Sequence, residues 1–320
     1  MPVLEDITPR RRGFLAAQTL FSAALLWFVF RGFDWQTFLG LMQQIPWWLY
    51  CAVVSVFLMG QLIYALKWQL LNRMMAIKLP YSGSLELVMI GLFFNNFLPT
   101  SIGGDAARVY YLGQSAGYTR ATASVLMDRI AGLGALVLLA ILSSWLVPNS
   151  LDNYTNILTA LSILAIVSAA LLIVFVLAPT ALLVTISSRL PKRFINIGEE
   201  IQAVRTRLRK APWVPLLIFI LVSTYYLTLA LVYNVYFGVT GQETPQIQST
   251  LAIVIAIAIL SNIPVALNGI GLREQLHSLF FVALGISKEV AVGASLLLFS
   301  GLLSVSIVGS LFWLRRSRHP

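Results

Sequence analysis

The chain has 320 residues, 58% hydrophobic and 11% charged, with a mean hydropathy of +0.84, which excludes an ordinary soluble domain. Its formal charge of +10 lies in clusters beside apolar runs, so it is not a nucleic-acid footprint. Continuous apolar runs also exclude a membrane β-barrel, so the chain is expected to be an all-α integral membrane protein.

The N-terminal stretch RRRGFLAA carries the arginines of a twin-arginine export signal. The apolar run behind it continues into Trp27, Phe28, Phe30 and Arg31 with no small-residue cleavage site. It therefore predicts an uncleaved first span, 13–30, with Arg10 to Arg12 held in the cytoplasm. The loop 32–46 has no Lys or Arg, and span 47–66 returns to a basic segment with Lys67, Arg73 and Lys78. Cys51, the single cysteine, lies within an apolar run, so neither a disulfide framework nor a Cys-based metal site is expected.

The segment 84–98, SLELVMIGLFFNNFL, has only 15 residues before Pro99 and is short for a crossing. It begins and ends on the cytoplasmic side, because span 130–147 alone reaches the Lys/Arg-free loop 148–156. A re-entrant half-helix is expected here. Glu86, early in that half-helix, complements its dipole. After the break, Asp105 is placed to cap a helix AARVYYLG closing at Gly113, with Arg108 three residues on and within reach. Asp128 and Arg129 are adjacent, hence about 100° apart on a helix, and do not pair with each other. They sit just before the span, as an interfacial anchor or in a cavity.

Span 157–178 returns to the stretch from Arg189 to Lys210, which holds seven Lys and Arg. Within it, 193–210 reads as an amphipathic helix at the cytoplasmic headgroups, where anionic lipid is the expected partner. Span 213–237 exits to the Lys/Arg-free loop 238–250. The apolar part 251–267 then breaks at SNIPVALNGIGLREQLH, and span 290–314 brings the chain to the cytoplasmic tail RRSRHP. Both termini are thus expected in the cytoplasm. His277, four residues after Arg273, is read as a hydrogen-bonded packing residue rather than a proton shuttle.

About six transmembrane helices and two re-entrant broken segments follow from this count. The breaks enter from opposite faces and match loosely: Asn96, Pro99, Gly103, Gly104 and Arg108 against Asn262, Pro264, Gly269, Gly271 and Arg273. This predicts an inverted repeat within one membrane domain, 1–320. Its halves are 13–147 and 157–314, joined by an amphipathic linker, 184–211. Each break is expected to present free N–H groups, a positive dipole end and an arginine, which together suit a phosphate. In the other reading, Asp105–Arg108 and Arg273–Glu274 are structural pairs bracing the breaks.

The stretches NNFLPTSIGGDAARVYYL, ASVLMDRIAGLGAL and NIPVALNGIGLREQ resemble three signatures of the flippase-like family of the lysylphosphatidylglycerol synthase transmembrane region. The resemblance spans roughly 13–314. It implies a unit that moves lipid between leaflets, here without the aminoacyl-transferase domain and so without enzymatic activity of its own. The substrate-binding residues it implies are Asn96, Gly104, Asp105, Arg108, Asp128, Arg129, Asn268, Gly269, Gly271, Arg273 and Glu274. VALN stands where a small hydroxyl residue is expected before the Asn-Gly. The expected function is translocation of a phospholipid or lipid-linked saccharide across the plasma membrane. A small-anion transporter and a non-transporting partner of a membrane glycosyltransferase are the alternatives. No cofactor is expected. No G-x-x-x-x-G-K-[ST] signature occurs, so energy would come from a gradient or a partner.

Overall fold

The computed structural model describes residues 9–97, 103–146, 192–262, 266 and 269–318. Span 157–178, the loop 148–156, Pro99, Pro264 and Asn268 lie outside these. Among the described residues there are helices and no strands: α1 (Pro9–Phe30), α2 (Trp35–Gln44), α3 (Trp47–Met74), α4 (Tyr81–Phe97), α5 (Gly103–Ala116) and α6 (Tyr118–Leu146). Then come α7 (Lys192–Lys210), α8 (Trp213–Val239), α9 (Ile247–Ser261), α10 (Leu272–Ala283) and α11 (Lys288–Arg318). Of these, α3, α6, α8 and α11 are long and apolar enough to cross a membrane. The architecture is that of an all-α membrane protein.

Local sequence fixes the ends. Asp34 caps α2, its Oδ1 accepting the N–H groups of Gln36 and Thr37 at 3.0 and 3.1 Å. Pro46 and Pro212 stand at the starts of α3 and α8, where a missing N–H costs nothing. The helix after the first break runs beyond Gly113, which is buried against Tyr118. It stops at Gly117, whose φ of +85° favours glycine. Asp105 lies inside the first turn of α5 rather than at its cap.

The interrupted segments form two short pairs, α4 with α5 and α9 with α10. At 1.5 Å per residue, α4 and α9 are about 26 and 23 Å long, less than the roughly 30 Å of a hydrocarbon core. Two of the four apolar cores among the described residues flank the site. One joins α3, α8, α9, α10 and α11 around Leu49, Phe237 and Phe281; the other joins α3 to α7 around Trp68, Ile90 and Leu112. Helix α3 runs through both, so the polar residues in its middle lie between the two cores.

Two expectations of length fail for one reason. Helix α3 continues to Met74 and α6 begins at Tyr118, so Lys67 and Asp128 are inside helices rather than at loop ends. An apolar-run reading stops at each charge, whereas these charges are buried in pairs. Glu86 also differs from its expected role, since its carboxylate pairs with Arg316 at 3.2 Å and ties α4 to the end of α11.

Candidate functional site

Three helices build the first charged centre. Asp128 and Arg129 are the eleventh and twelfth residues of α6, about 15 Å from its start. Lys67 comes from α3, and Asp105 and Arg108 from the first turns of α5. They alternate in sign along one chain. Lys67 Nζ lies 2.9 Å from Asp128 Oδ1, and Arg108 Nη1 lies 3.0 Å from Asp128 Oδ2. Arg108 Nη2 and Arg129 Nη2 each lie 2.6 Å from an oxygen of Asp105. Three cations thus face two carboxylates, leaving one positive charge in surplus. Burial is tolerable because every member is paired.

Arg108 is the most enclosed cation, 2% exposed, with its guanidinium over the Tyr64 and Trp68 rings at 5.1 and 4.9 Å. It stands behind the site. A cavity of about 330 Å³ is lined by Lys67, Asp128 and Arg129, with Gln61, Tyr64 and Asn95, but not by Arg108. The Arg129 side chain is 37% exposed and is the most accessible cation of the five residues.

The second break carries Arg273, on the rim of another cavity of about 310 Å³ with His277, Ser295, Ser261 and Tyr233. Its guanidinium lies 5.4 Å from the centre of the Phe299 ring. Gln61, Tyr225, Tyr226 and Asn262 line both cavities, so the two chambers abut through these four side chains. His277 packs as expected. Its Nδ1 lies 2.7 Å from the Arg273 carbonyl, which can only accept, so in the neutral ring Nε2 accepts from the Tyr233 hydroxyl at 2.6 Å.

The breaks are less open than the sequence suggested. At the first, the Gly104 N–H donates to Asn95 Oδ1 at 2.8 Å. At the second, the Gly271 N–H donates to Glu274 Oε2 at 2.7 Å, and the Ser295 hydroxyl donates to the other oxygen at 3.2 Å. Glu274 is therefore a cap, and no ion pair joins it to Arg273 among the described residues. Asp105–Arg108 is a pair, so the bracing reading holds for the first break only. Asn96 fastens α4 to α11, donating to the Leu92 carbonyl at 3.0 Å and to Ser306 at 3.4 Å. Gly269 and Gly271 have φ of +76° and +81°. Asn268 lies outside the described residues. Sequence reasoning missed Lys67, Gln61, Asn95 and the tyrosines.

Residues 15–309 match the family described as the lysylphosphatidylglycerol synthase TM region. The chain belongs to this family. A UPF0104 membrane protein of Pyrococcus horikoshii is 26% identical to it over 275 residues, 76% of this chain and 79% of the relative. No solved structure matches. With the apolar helices, this makes the chain a multi-pass membrane protein of the lysylphosphatidylglycerol synthase TM-region family. Among the described residues, no group of three or more His, Cys, Asp and Glu side chains is placed to hold a metal.

Proposed function

We propose that the protein translocates a phospholipid or lipid-linked saccharide with an anionic headgroup across the plasma membrane. Both termini are cytoplasmic in this reading, and no bond of the lipid is made or broken. The observation that carries it is the surplus cation at the first cavity. A membrane-depth charge cluster is expensive and usually functional. Here two of its cations, the buried Lys67 and the more accessible Arg129, line a chamber that abuts a second chamber holding Arg273. A phosphate entering the first would complete the charge balance that Asp105 and Asp128 leave open. Apolar tails would stay in lipid while the headgroup passes the Gln61, Tyr225, Tyr226 and Asn262 septum.

The test is transport by the purified protein in liposomes with a panel of labelled lipids, each carrying the label on its headgroup. Protein-dependent movement of anionic lipids, lowered in Arg129→Gln, is the expected result. Movement of inorganic phosphate with no lipid movement would replace the lipid by a small anion. No movement of either by folded protein would remove transport altogether.

A further inference from the structure

We propose that the headgroup carried by this protein is an amine-free phosphate ester of a polyol or sugar, and that the second cavity is the subsite for its hydroxyls. Resting on the two cavities as a headgroup path, this assignment excludes the amine-bearing lipid that the description of the family names. The cavity of about 310 Å³ lies at the small end of the roughly 300–1,000 Å³ of ordinary ligand pockets. Among its described lining residues there is no Asp, Glu or Lys, and Arg273 carries the charge.

Hydrogen bonding sorts the polar groups of this wall into two sets. Tyr233 and His277 satisfy each other, and Ser295 donates to Glu274, so these are occupied within the protein. The second set has no such partners. Ser261 Oγ is buried without a hydrogen bond, and among the described residues none is made by the Gln61 side chain or by the Tyr225 and Tyr226 hydroxyls. Asn262 donates its Nδ2 to the Ala258 carbonyl at 2.8 Å, which leaves its Oδ1 open. Position in the chain explains the grouping. Tyr225, Leu229 and Tyr233 are four apart on α8 and share its face toward the cavity. Ser261 and Asn262 end α9 where the helix breaks, and Gln61 is midway along the 28 residues of α3. Unpaired polar groups at such depth are costly, so several together mark a place where a bound molecule supplies the partners. Water fills polar cavities commonly, but water does not balance the charge of Arg273.

This inventory favours hydroxyls over amines. Phenols, hydroxyls and amides together donate and accept, as the hydroxyls of a polyol or sugar do. An ammonium only donates, and it is held best by carboxylates. Glu274 is turned to the Gly271 N–H and to Ser295, and Asp128 in the first cavity already holds Lys67 and Arg108. Tyrosine rings also attract cations to their faces. Here, however, a second cation would share a small enclosed space with Arg273, which already lies 5.4 Å from the Phe299 ring centre. Like charges repel strongly where the dielectric is low.

Native mass spectrometry of the delipidated full chain tests this with four lipids of matched acyl chains. Phosphatidylglycerol has the hydroxyls, phosphatidylmethanol lacks them and phosphatidylserine has an amine, while all three carry the same net negative charge. Lysylphosphatidylglycerol adds amines to the first. The wild type should bind phosphatidylglycerol about tenfold better than phosphatidylserine and about fivefold better than phosphatidylmethanol, the scales of a charged and a neutral hydrogen bond. Lysylphosphatidylglycerol should bind most weakly. Ser261→Ala with Tyr226→Phe removes only hydroxyl oxygens. It should lose most of the preference over phosphatidylmethanol and keep the preference over phosphatidylserine. Arg273→Gln should lose the discrimination against phosphatidylserine, and Arg120→Gln, from an exposed pair with Glu200, should change neither ratio. Equal binding of the three anionic lipids by the wild type would overturn the hydroxyl subsite and leave an anionic lipid as substrate. Binding of none of the four would remove the headgroup path itself, and the subsite with it. Should Arg273→Gln fold poorly, the wild type and the double variant decide alone. Wild-type preference for lysylphosphatidylglycerol, or an unchanged hydroxyl preference in the double variant, would overturn the proposal.

Discussion

Two arginines of this chain look equivalent in sequence and are opposite in setting. Arg108 is enclosed, with Asp105 and Asp128 on its two terminal nitrogens. Arg129 shares Asp105 but reaches the cavity. Replacing Arg108 by Met removes the cation that joins both carboxylates, leaving the buried Asp128 with Lys67 alone and Asp105 with Arg129 alone, so the expected loss is about 3–5 kcal/mol of stability, seen as a large fall in melting temperature in detergent. Arg129→Gln leaves Asp105 still paired to Arg108, so the expected stability loss is under about 1 kcal/mol, as for partly exposed pairs. The same change should weaken anionic lipid binding by about 1.5–3 kcal/mol, the scale of one charged hydrogen bond. Lipid titration of both folded variants checks the split: an equal effect on binding and stability in Arg129→Gln would place it with Arg108 as a brace. The Asp105–Arg108 contact was legible because three residues along a helix is a local relation. Lys67 was not, because its partner is 61 positions away and nothing near Lys67 announces it. Asn95 and Asn96 show the same limit: adjacent asparagines in one motif, one facing the cavity and capping Gly104, the other bound to α11. Sequence gives the pair, and only the helix phase assigns the roles.

The broken pairs were the best-read elements, since proline and glycine interrupt helices by backbone chemistry alone. Their tightness was not readable. A Cβ at Gly104 would strike the Gly91 carbonyl of α4 and come within 2.7 Å of Asn95. The Gly91 carbonyl is backbone and cannot swing aside as the Asn95 amide can, so α4 and α5 must separate. Gly104→Ala should therefore cost about 1–3 kcal/mol, the range for overpacking, and should also disturb the Asn95 contact at the cavity. Thermal unfolding beside lipid binding measures this; a neutral Gly104→Ala would mean that the hairpin is not held by this contact. At the second break, Gly271 has a φ of +81°, and a Cβ there would lie 2.8 Å from the Ser22 carbonyl of α1. Here Glu274 holds the Gly271 N–H. Glu274→Ala should cost about 0.5–2 kcal/mol as a lost cap. It should leave the charge balance of the first cavity intact, so a loss of anionic preference in this variant would show that Glu274 does more than cap α10. The long helices were under-read at the ends where charges enter the protein interior. Hydropathy ends a span at Lys67 and starts one after Arg129, whereas burial in pairs lets α3 and α6 carry both charges inward.

At the scale of the molecule, the distribution of Lys and Arg predicts sidedness, and the two cavities give that prediction something to measure. If the chain crosses as its basic segments imply, the first cavity faces the cytoplasm and the second faces outside, with Gln61, Tyr225, Tyr226 and Asn262 between them. Ile63 lines only the first cavity and Ala258 only the second. A Cys51→Ser background is needed, since Cys51 is exposed, and Ile63→Cys and Ala258→Cys are then introduced singly. A membrane-impermeant maleimide should label Ile63→Cys from the cytoplasmic side and Ala258→Cys from the outer side. An anionic lipid headgroup should protect Ile63→Cys, and protection should fall in Ile63→Cys combined with Arg129→Gln. Labelling of both positions from one side in every condition would sink the opposed arrangement of the two breaks. Labelling of both from both sides at once would mean a continuous pore, which is incompatible with a septum that opens to one face at a time. Opposed labelling without protection by lipid would keep the topology and remove the lipid headgroup from the first cavity, so the architecture and the substrate are tested separately by the same four proteins.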